Sequence, residues 1–173
     1  MTKRLFVAGD VHDDRESLKA FTNYAQSQEA DSILFCGDFS LRPYTAASLQ
    51  DLIESENVKR FIDSKRQHNE TIIKDMKSIL DSSGIPYHVI PGNYDPDISG
   101  VFGENDLHGR TMNHNGINIF GYGGADAYPE QIQLMVKLGE IVNFDHNELY
   151  DLLKTGNPDI AIMTEKHGYT GSL

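Results

Sequence analysis

The chain has 173 residues, with 15 Lys and Arg against 26 Asp and Glu, so its formal net charge is −11. At 39% hydrophobic and 24% charged, it has the composition of a single soluble domain, 1–173, long enough to bury a core, and disorder is excluded. No apolar run reaches the ~18 residues of a membrane span, no basic cluster offers a grip on nucleic acid, the N-terminal apolar run is too short for a secretory signal, and the single cysteine, Cys36, fits a reducing cytoplasm.

In chain order, Leu5-Phe6-Val7-Ala8 is a short apolar run closed by Gly9 and reads as a buried strand. Asp13 and Glu16 have the spacing of a capping box, and Leu18, Phe21 and Ala25 follow at helical intervals. Ile33-Leu34-Phe35-Cys36 is a second buried strand, ending at Gly37. Leu49, Leu52 and Ile53, then Ile72, Ile73, Met76, Ile79 and Leu80, carry a helical period, with Gly84 placed to cap it. The charged stretch 54–70 reads as a solvated helix face or a protruding insertion. Val89-Ile90 belongs to a third strand, stopped by Pro91-Gly92. This βαβαβ order predicts parallel strands joined by helical crossovers.

The second half has a different texture. Residues 97–110 show little periodicity and read as a loop. Ile117, Ile119 and Tyr122 mark a strand interrupted by Gly121, Gly123 and Gly124. Asp145 and Glu148 repeat the capping-box spacing ahead of Leu149, Leu152 and Leu153, and Gly156-Asn157-Pro158 ends that helix. Ile160-Ala161-Ile162-Met163 is the last strand.

Each of the first three strands ends in glycine followed by a metal-ligating residue type: Gly9-Asp10-Val11-His12, Gly37-Asp38 and Gly92-Asn93-Tyr94-Asp95. Open α/β sheets bind ligands beyond the carboxyl ends of their strands, so the three clusters should meet on one edge. Asp10 and His12, two apart, share a face if the backbone is extended. Carboxylate with imidazole suits Mn, Fe, Zn or Ni. Asp38 has two oxygens with which to bridge two cations, and Asn93 offers an amide oxygen. Two metals ~3.5–4 Å apart can clamp a phosphoryl group and supply hydroxide at neutral pH. Taken singly, Asp10 and Asp38 read as caps or turn formers, His12 as a loop residue and Asn93 as a turn residue. The ordered trio carries the metal-site reading. His68, His88, His108, His114 and His146 read as structural or solvated.

These ordered motifs resemble the calcineurin-like metallophosphoesterase signature GDxH…GD…GN, over Leu5 to about residue 168. The insertion between the second and third motifs resembles a bacterial and archaeal branch of that family. The resemblance implies an α/β fold: a β-sandwich flanked by helices, its first half βαβαβ. It implies hydrolysis of a small phosphomonoester or phosphodiester by metal-activated hydroxide, at a site holding up to two metals. Asp10 and His12 would bind one metal, Asp38 would bridge, and Asn93 would bind the second. After Gly-Asn the family often has a histidine; here Tyr94 stands there, able to donate a hydrogen bond but not to supply an imidazolium. Asp95, beside it, is retained as an orienting group. The family's next metal ligand is a histidine at a strand end, and Met163-Thr164-Glu165-Lys166-His167-Gly168 offers His167, preferred for the glycine after it, or Glu165. A closing Gly-His-x-His motif is not found before Leu173. The expectations are an incomplete second sheet, weakened metal retention and an open edge on the 160–163 strand, through which copies would pair into a homo-oligomer or a partner would bind. The alternative is a catalytically weak or inactive relative serving as a metal-binding or protein-interaction module. A Rossmann-type nucleotide binder is disfavoured, since no G-x-G-x-x-G follows the first strand.

Overall fold

Apolar runs of four to six residues bury themselves best in sheets, and this chain builds two. The structure, a computed structural model, describes residues 3–40, 51–52, 54–55, 57–124, 136 and 145–164. In order, the elements are β1 (Leu5–Ala8), α1 (Arg15–Ser27), β2 (Ser32–Phe35), α2 (Val58–Ser82), β3 (Tyr87–Val89), a single turn α3 (Ser99–Phe102), β4 (Arg110–His114), β5 (Ile117–Tyr122), α4 (His146–Gly156) and β6 (Ile160–Met163). The first sheet is parallel in the order β1-β2-β3, with Val7 beside Leu34 and Phe35 beside Val89. The second, smaller sheet has the order β4-β5-β6: an antiparallel hairpin turning at Asn115-Gly116, then a parallel pair.

Strand β2 shows why its sequence is apolar throughout. Ile33 and Phe35 face α1 and α2, packing with Leu18, Ile72, Ile73 and Met76. Leu34 faces the other way, into a second cluster with Ile90, Leu107, Ile119 and Ile162. Each such side chain contributes roughly 1.5–3 kcal/mol by leaving water. The sheets are joined along a seam, where the Leu107 N–H donates to the Val89 carbonyl at 2.8 Å and the Gly109 N–H to the Gly121 carbonyl at 2.9 Å. Gly121 does not interrupt β5 as its sequence suggests but lies inside it. A side chain there would strike Ile90 and Leu107, so its absence lets the two sheets close on each other.

Other expectations shift in the same way. The cap of α1 is Asp14, one residue later than the spacing implied: its carboxylate accepts from the Ser17 N–H at 2.9 Å. Asp13 cannot serve, because its N–H is bound to the Phe39 carbonyl and its backbone is left-handed, φ 66°. The charged stretch is largely the solvated helix face of the two readings, with two buried polar positions in it. From Val58 it forms the first half of the 25-residue α2, where Lys65 and Asn69 continue the buried stripe of Ile72, Ile73, Met76 and Leu80. Leu49 and Ile53 lie outside the described residues. Residues 97–110 contain α3 and a 3-10 turn, Gly103–Asn105, and Phe102 stacks on Phe39 with ring centroids 5.5 Å apart. Asp145 caps α4 as expected, but Glu148 does not reach back to it; its carboxylate accepts the Tyr122 hydroxyl at 2.7 Å.

At the pole of the sandwich away from the three motifs, His88 of β3 meets His114 of β4 between the sheets, ring centroids 5.9 Å apart. Both are buried, and neither His88 ring nitrogen has a hydrogen-bond partner among the described residues. Burial, and then the neighbouring His114, pushes His88 down to about 4. Between that value and the ordinary 6.5 the unfolded chain binds a proton that the folded chain refuses, so this group lowers stability as pH falls through the window. We expect His88→Leu to gain on wild type by at most ~1.4 kcal/mol per pH unit between pH 6.5 and 4, the limit for one proton. Urea unfolding of both proteins at pH 7 and pH 5 reads this; an unchanged difference would contradict it.

Candidate metal centre

The loops after β1, β2 and β3 leave the same edge of the first sheet and bond to one another. The Asp10 N–H donates to the Gly37 carbonyl at 3.0 Å, and the His12 N–H to the Asp38 carbonyl at 3.0 Å. Side by side, the first two loops bring Asp10, His12 and Asp38 together: each offers one ligand atom, and these atoms lie within 4.8 Å of one another. The means differs from the extended backbone expected from the sequence. Asp10, His12 and Asp38 all have left-handed backbones, with φ of 56°, 44° and 55°. Aspartate tolerates this region better than most residues; histidine there is uncommon.

The imidazole of His12 is oriented from behind. Its Nδ1 lies 2.9 Å from the Ser40 carbonyl, an acceptor only, so Nδ1 carries the proton and donates. That leaves the Nε2 lone pair facing Asp10, whose Oδ1 is 4.0 Å away. Ser40 was not legible as a site residue, since its contribution is through the main chain.

The third loop is held tightly to the second. Gly92 packs so closely on Asp38 that any side chain would overlap the Asp38 carboxylate and N–H. The Tyr94 N–H donates to Asp38 Oδ1 at 3.3 Å. Asn93, between them, is buried at the same edge. Asp95 has no exposed surface, and its carboxylate accepts three backbone N–H groups: Gly92 at 2.8 Å, Ser40 at 2.8 Å and Phe39 at 3.3 Å. The ring of Tyr94 lies 6.0 Å from that of His12. From α2, Asn69 Nδ2 donates to the Tyr94 carbonyl at 3.1 Å. The hydrophobic period gave no sign that Asn69 belongs near the site; only its place on the buried stripe, four residues from Ile73, could have shown it. Further along, Asp13 meets Arg15 at 2.6 Å and stands 3.9 Å from His68 Nε2. His167 and Glu165 lie outside the described residues, which end this segment at Thr164, its hydroxyl bonded to the Gly124 carbonyl.

The electrostatics suit a cation. Burial, then the charge of Asp95, then Asp10 push the Asp38 carboxyl up to about 7, against the pull of the Tyr94 N–H. Burial likewise raises Asp95, opposed by its backbone donors. Two carboxylates and an imidazole nitrogen around one point are a donor set that a divalent ion completes by supplying the missing positive charge.

A family model for calcineurin-like phosphoesterases matches residues 3–169. The chain belongs to that family, whose members bind divalent metals and are phosphoesterases. No curated protein matches it. Among solved structures, five chains match. One crystal structure aligns with a TM-score of 0.62 over 100% of this chain and 87% of the other, at 13% identity. TT1561 of Thermus thermophilus aligns with a TM-score of 0.54 over 92% of this chain and 80% of its own, at 17% identity. At such identities the likeness establishes the fold.

Removing the Asp95 carboxylate leaves three buried N–H groups without an acceptor. Each orphaned group costs about 1–3 kcal/mol. Asp95→Ala is therefore expected to lose roughly 3 kcal/mol or more in urea unfolding; a loss under about 1 kcal/mol would show that water replaces the carboxylate.

Proposed function

We propose that the chain is a metal-dependent phosphoesterase that hydrolyses a small phosphomonoester or phosphodiester. The observation that supports this most directly is the meeting of Asp10, His12 and Asp38 ligand atoms within 4.8 Å, at the strand-end edge where the family motifs lie. In this reading Asp10 and His12 would hold one cation, Asp38 would serve both, and Asn93 would hold the second. His167, or Glu165 in its place, would add a ligand from beyond β6. The mix of carboxylate, imidazole and amide suits Mn, Fe, Zn or Ni, and Mn is our first choice for assay. When bound, the cations supply charge that offsets the chain's acidic field and make water a competent nucleophile at neutral pH.

The chain's own groups supply position. His12 is held to one tautomer by Ser40, Asp38 is oriented by the Tyr94 N–H, and Asp95 fixes the two loops from within. Being wholly buried, Asp95 acts through those loops rather than on substrate. Tyr94 stands where the family often has histidine. Beside His12 it can offer a phenolic hydrogen bond, but no proton at the acidity of an imidazolium. This favours slow turnover and supports, as a second reading, a weak relative that binds metal or a partner protein. We read the single cysteine as fitting a reducing cytoplasm; among the described residues no helix is long and apolar enough to cross a membrane.

The test is hydrolysis of p-nitrophenyl phosphate and bis(p-nitrophenyl) phosphate with added Mn. At least one should turn over, and Asp38→Asn should lower the rate on the order of 100-fold, the scale of one preorganised electrostatic contact. Turnover of neither, with Mn still bound, would leave the binding-module reading in its place.

For assembly we propose pairing through β6. Its inner edge follows β5, and among the described residues no strand meets its outer edge. Ile160 to Met163 carry no charge to blunt that edge. Ile162 is buried between the sheets, whereas Ala161 is exposed. Ala161→Lys should therefore shift sedimentation from dimer toward monomer without disturbing the core; identical profiles for variant and wild type would remove the contact.

A further inference from the structure

The turn Gly92-Asn93-Tyr94-Asp95 presents the Tyr94 N–H to Asp38 Oδ1 at 3.3 Å. Its own closure is slack: the Asp95 N–H reaches the Gly92 carbonyl at 3.4 Å, beyond the roughly 2.7–3.2 Å usual for such a bond. The carboxylate of Asp95 ties the ends of the turn to the loop after β2. Its middle is tied from elsewhere. Asn69 of α2 donates from Nδ2 to the Tyr94 carbonyl at 3.1 Å. The main chain of Tyr94 is thus held on both sides, by a candidate metal ligand through its N–H and by a helix through its carbonyl.

Asn69 has a firm footing for this. It is 4% exposed and stands four residues before Ile73, so the two share one face of the helix. On that face Ile72, Ile73, Met76 and Leu80 are wholly buried against the first sheet. The side chain is short, with two rotatable bonds between this anchored backbone and its N–H₂ group. The chemistry also selects an amide. A carbonyl only accepts, so its partner must donate, and an aspartate of the same shape would set oxygen against oxygen. The bond goes to main chain and not to a ligand atom, so whatever Asn69 does at the centre it does through Tyr94.

Resting on the reading of the cluster as a metal-dependent phosphoesterase centre, we infer that Asn69 is a positioning residue: through the main chain of Tyr94 it braces the Asp38 carboxylate in the orientation that holds a cation. Asp38 must keep an oxygen within the 4.8 Å cluster it forms with Asp10 and His12. The Tyr94 N–H limits rotation of that carboxylate, and Asn69 keeps the Tyr94 N–H in place. Loss of the amide loosens the turn, and with it the aim of Asp38, while the sheet and its core stay as they are.

The test is calorimetric titration with Mn of wild type, Asn69→Leu and Ile73→Val. Asn69→Leu keeps the size and withdraws the donor; Ile73→Val trims the core one turn away and touches nothing at the centre. In Asn69→Leu the Kd for Mn should rise roughly ten-fold or more, the scale for groups that orient a metal ligand. In Ile73→Val it should stay at the wild-type value. Low-temperature electron paramagnetic resonance of Mn-saturated Asn69→Leu should show an altered line shape, which follows ligand geometry and not overall stability. Should Asn69→Leu not fold, Asn69→Ala is read in the same way. An unchanged Kd and line shape in the folded variant would overturn the inference, as would an equal rise in Kd in Ile73→Val. Failure of both Asn69 variants to fold while Ile73→Val folds would make Asn69 a structural residue and overturn it too. If the Kd rises as expected but wild type hydrolyses neither p-nitrophenyl phosphate nor bis(p-nitrophenyl) phosphate, the phosphoesterase reading fails and the positioning role stands. If wild type turns one of them over and Asn69→Leu binds Mn as wild type does, that reading stands and the positioning role fails. If wild type binds no Mn, both fail.

Discussion

The carboxylate of Asp95 is sealed from water and accepts N–H groups from two different loops, Phe39 and Ser40 after β2 and Gly92 after β3. Backbone donors at a strand end have no ladder partner of their own, so a buried acceptor between two such ends locks both. The position of Asp38, and with it the meeting of Asp38 with Asp10 and His12, depends on that lock. An isolated carboxylate would not tolerate such burial. Here three N–H dipoles surround it, and Lys65 is close enough for their charges to be felt. Lys65 of α2 therefore belongs to the interior beside the site, while the other charged residues of that helix lie on its surface.

The packing of α2 explains how that is achieved. Its lower half lies on the first sheet through Ile72, Ile73, Met76 and Leu80. The same face, continued upward by rises of a turn, runs out of sheet and meets the loops instead. There the stripe changes from aliphatic to polar, Asn69 and then Lys65, because the surface it meets consists of main-chain carbonyls and a buried carboxylate. A rigid helix anchored by its apolar half thus delivers two polar side chains to a loop region that has little apolar surface of its own.

Much of this was legible in the chain. The apolar runs, their termination in glycine and the order of the motifs gave the parallel first sheet and the edge where Asp10, His12 and Asp38 meet, because strand burial and strand order are governed by local pattern. What escaped depends on long-range contact. Polar residues on α2 look solvated in sequence, and only the tertiary fold shows Lys65 and Asn69 facing loops about 25 residues or more away. The cap of α1 moved from Asp13 to Asp14 because Asp13 is held by Phe39 from another loop, a bond no local spacing encodes. Gly121 reads as a breaker until the opposing Ile90 and Leu107 are seen to need its space.

Asp10, His12, Asp13 and Asp38 hold a backbone conformation that costs an ordinary L-residue roughly 1–2 kcal/mol. None is glycine, so the chain keeps carboxylate and imidazole side chains at positions where relaxed geometry would favour none. The backbone conformation is already in place in the chain by itself. Folding and ligation are then linked: an ion that binds only the folded chain raises stability in proportion to the logarithm of its concentration over Kd. If the cluster holds an ion as we propose, the melting temperature of this protein would be a gauge of free metal in its surroundings, and scarcity of metal would act first on the lifetime of the protein and only then on its chemistry.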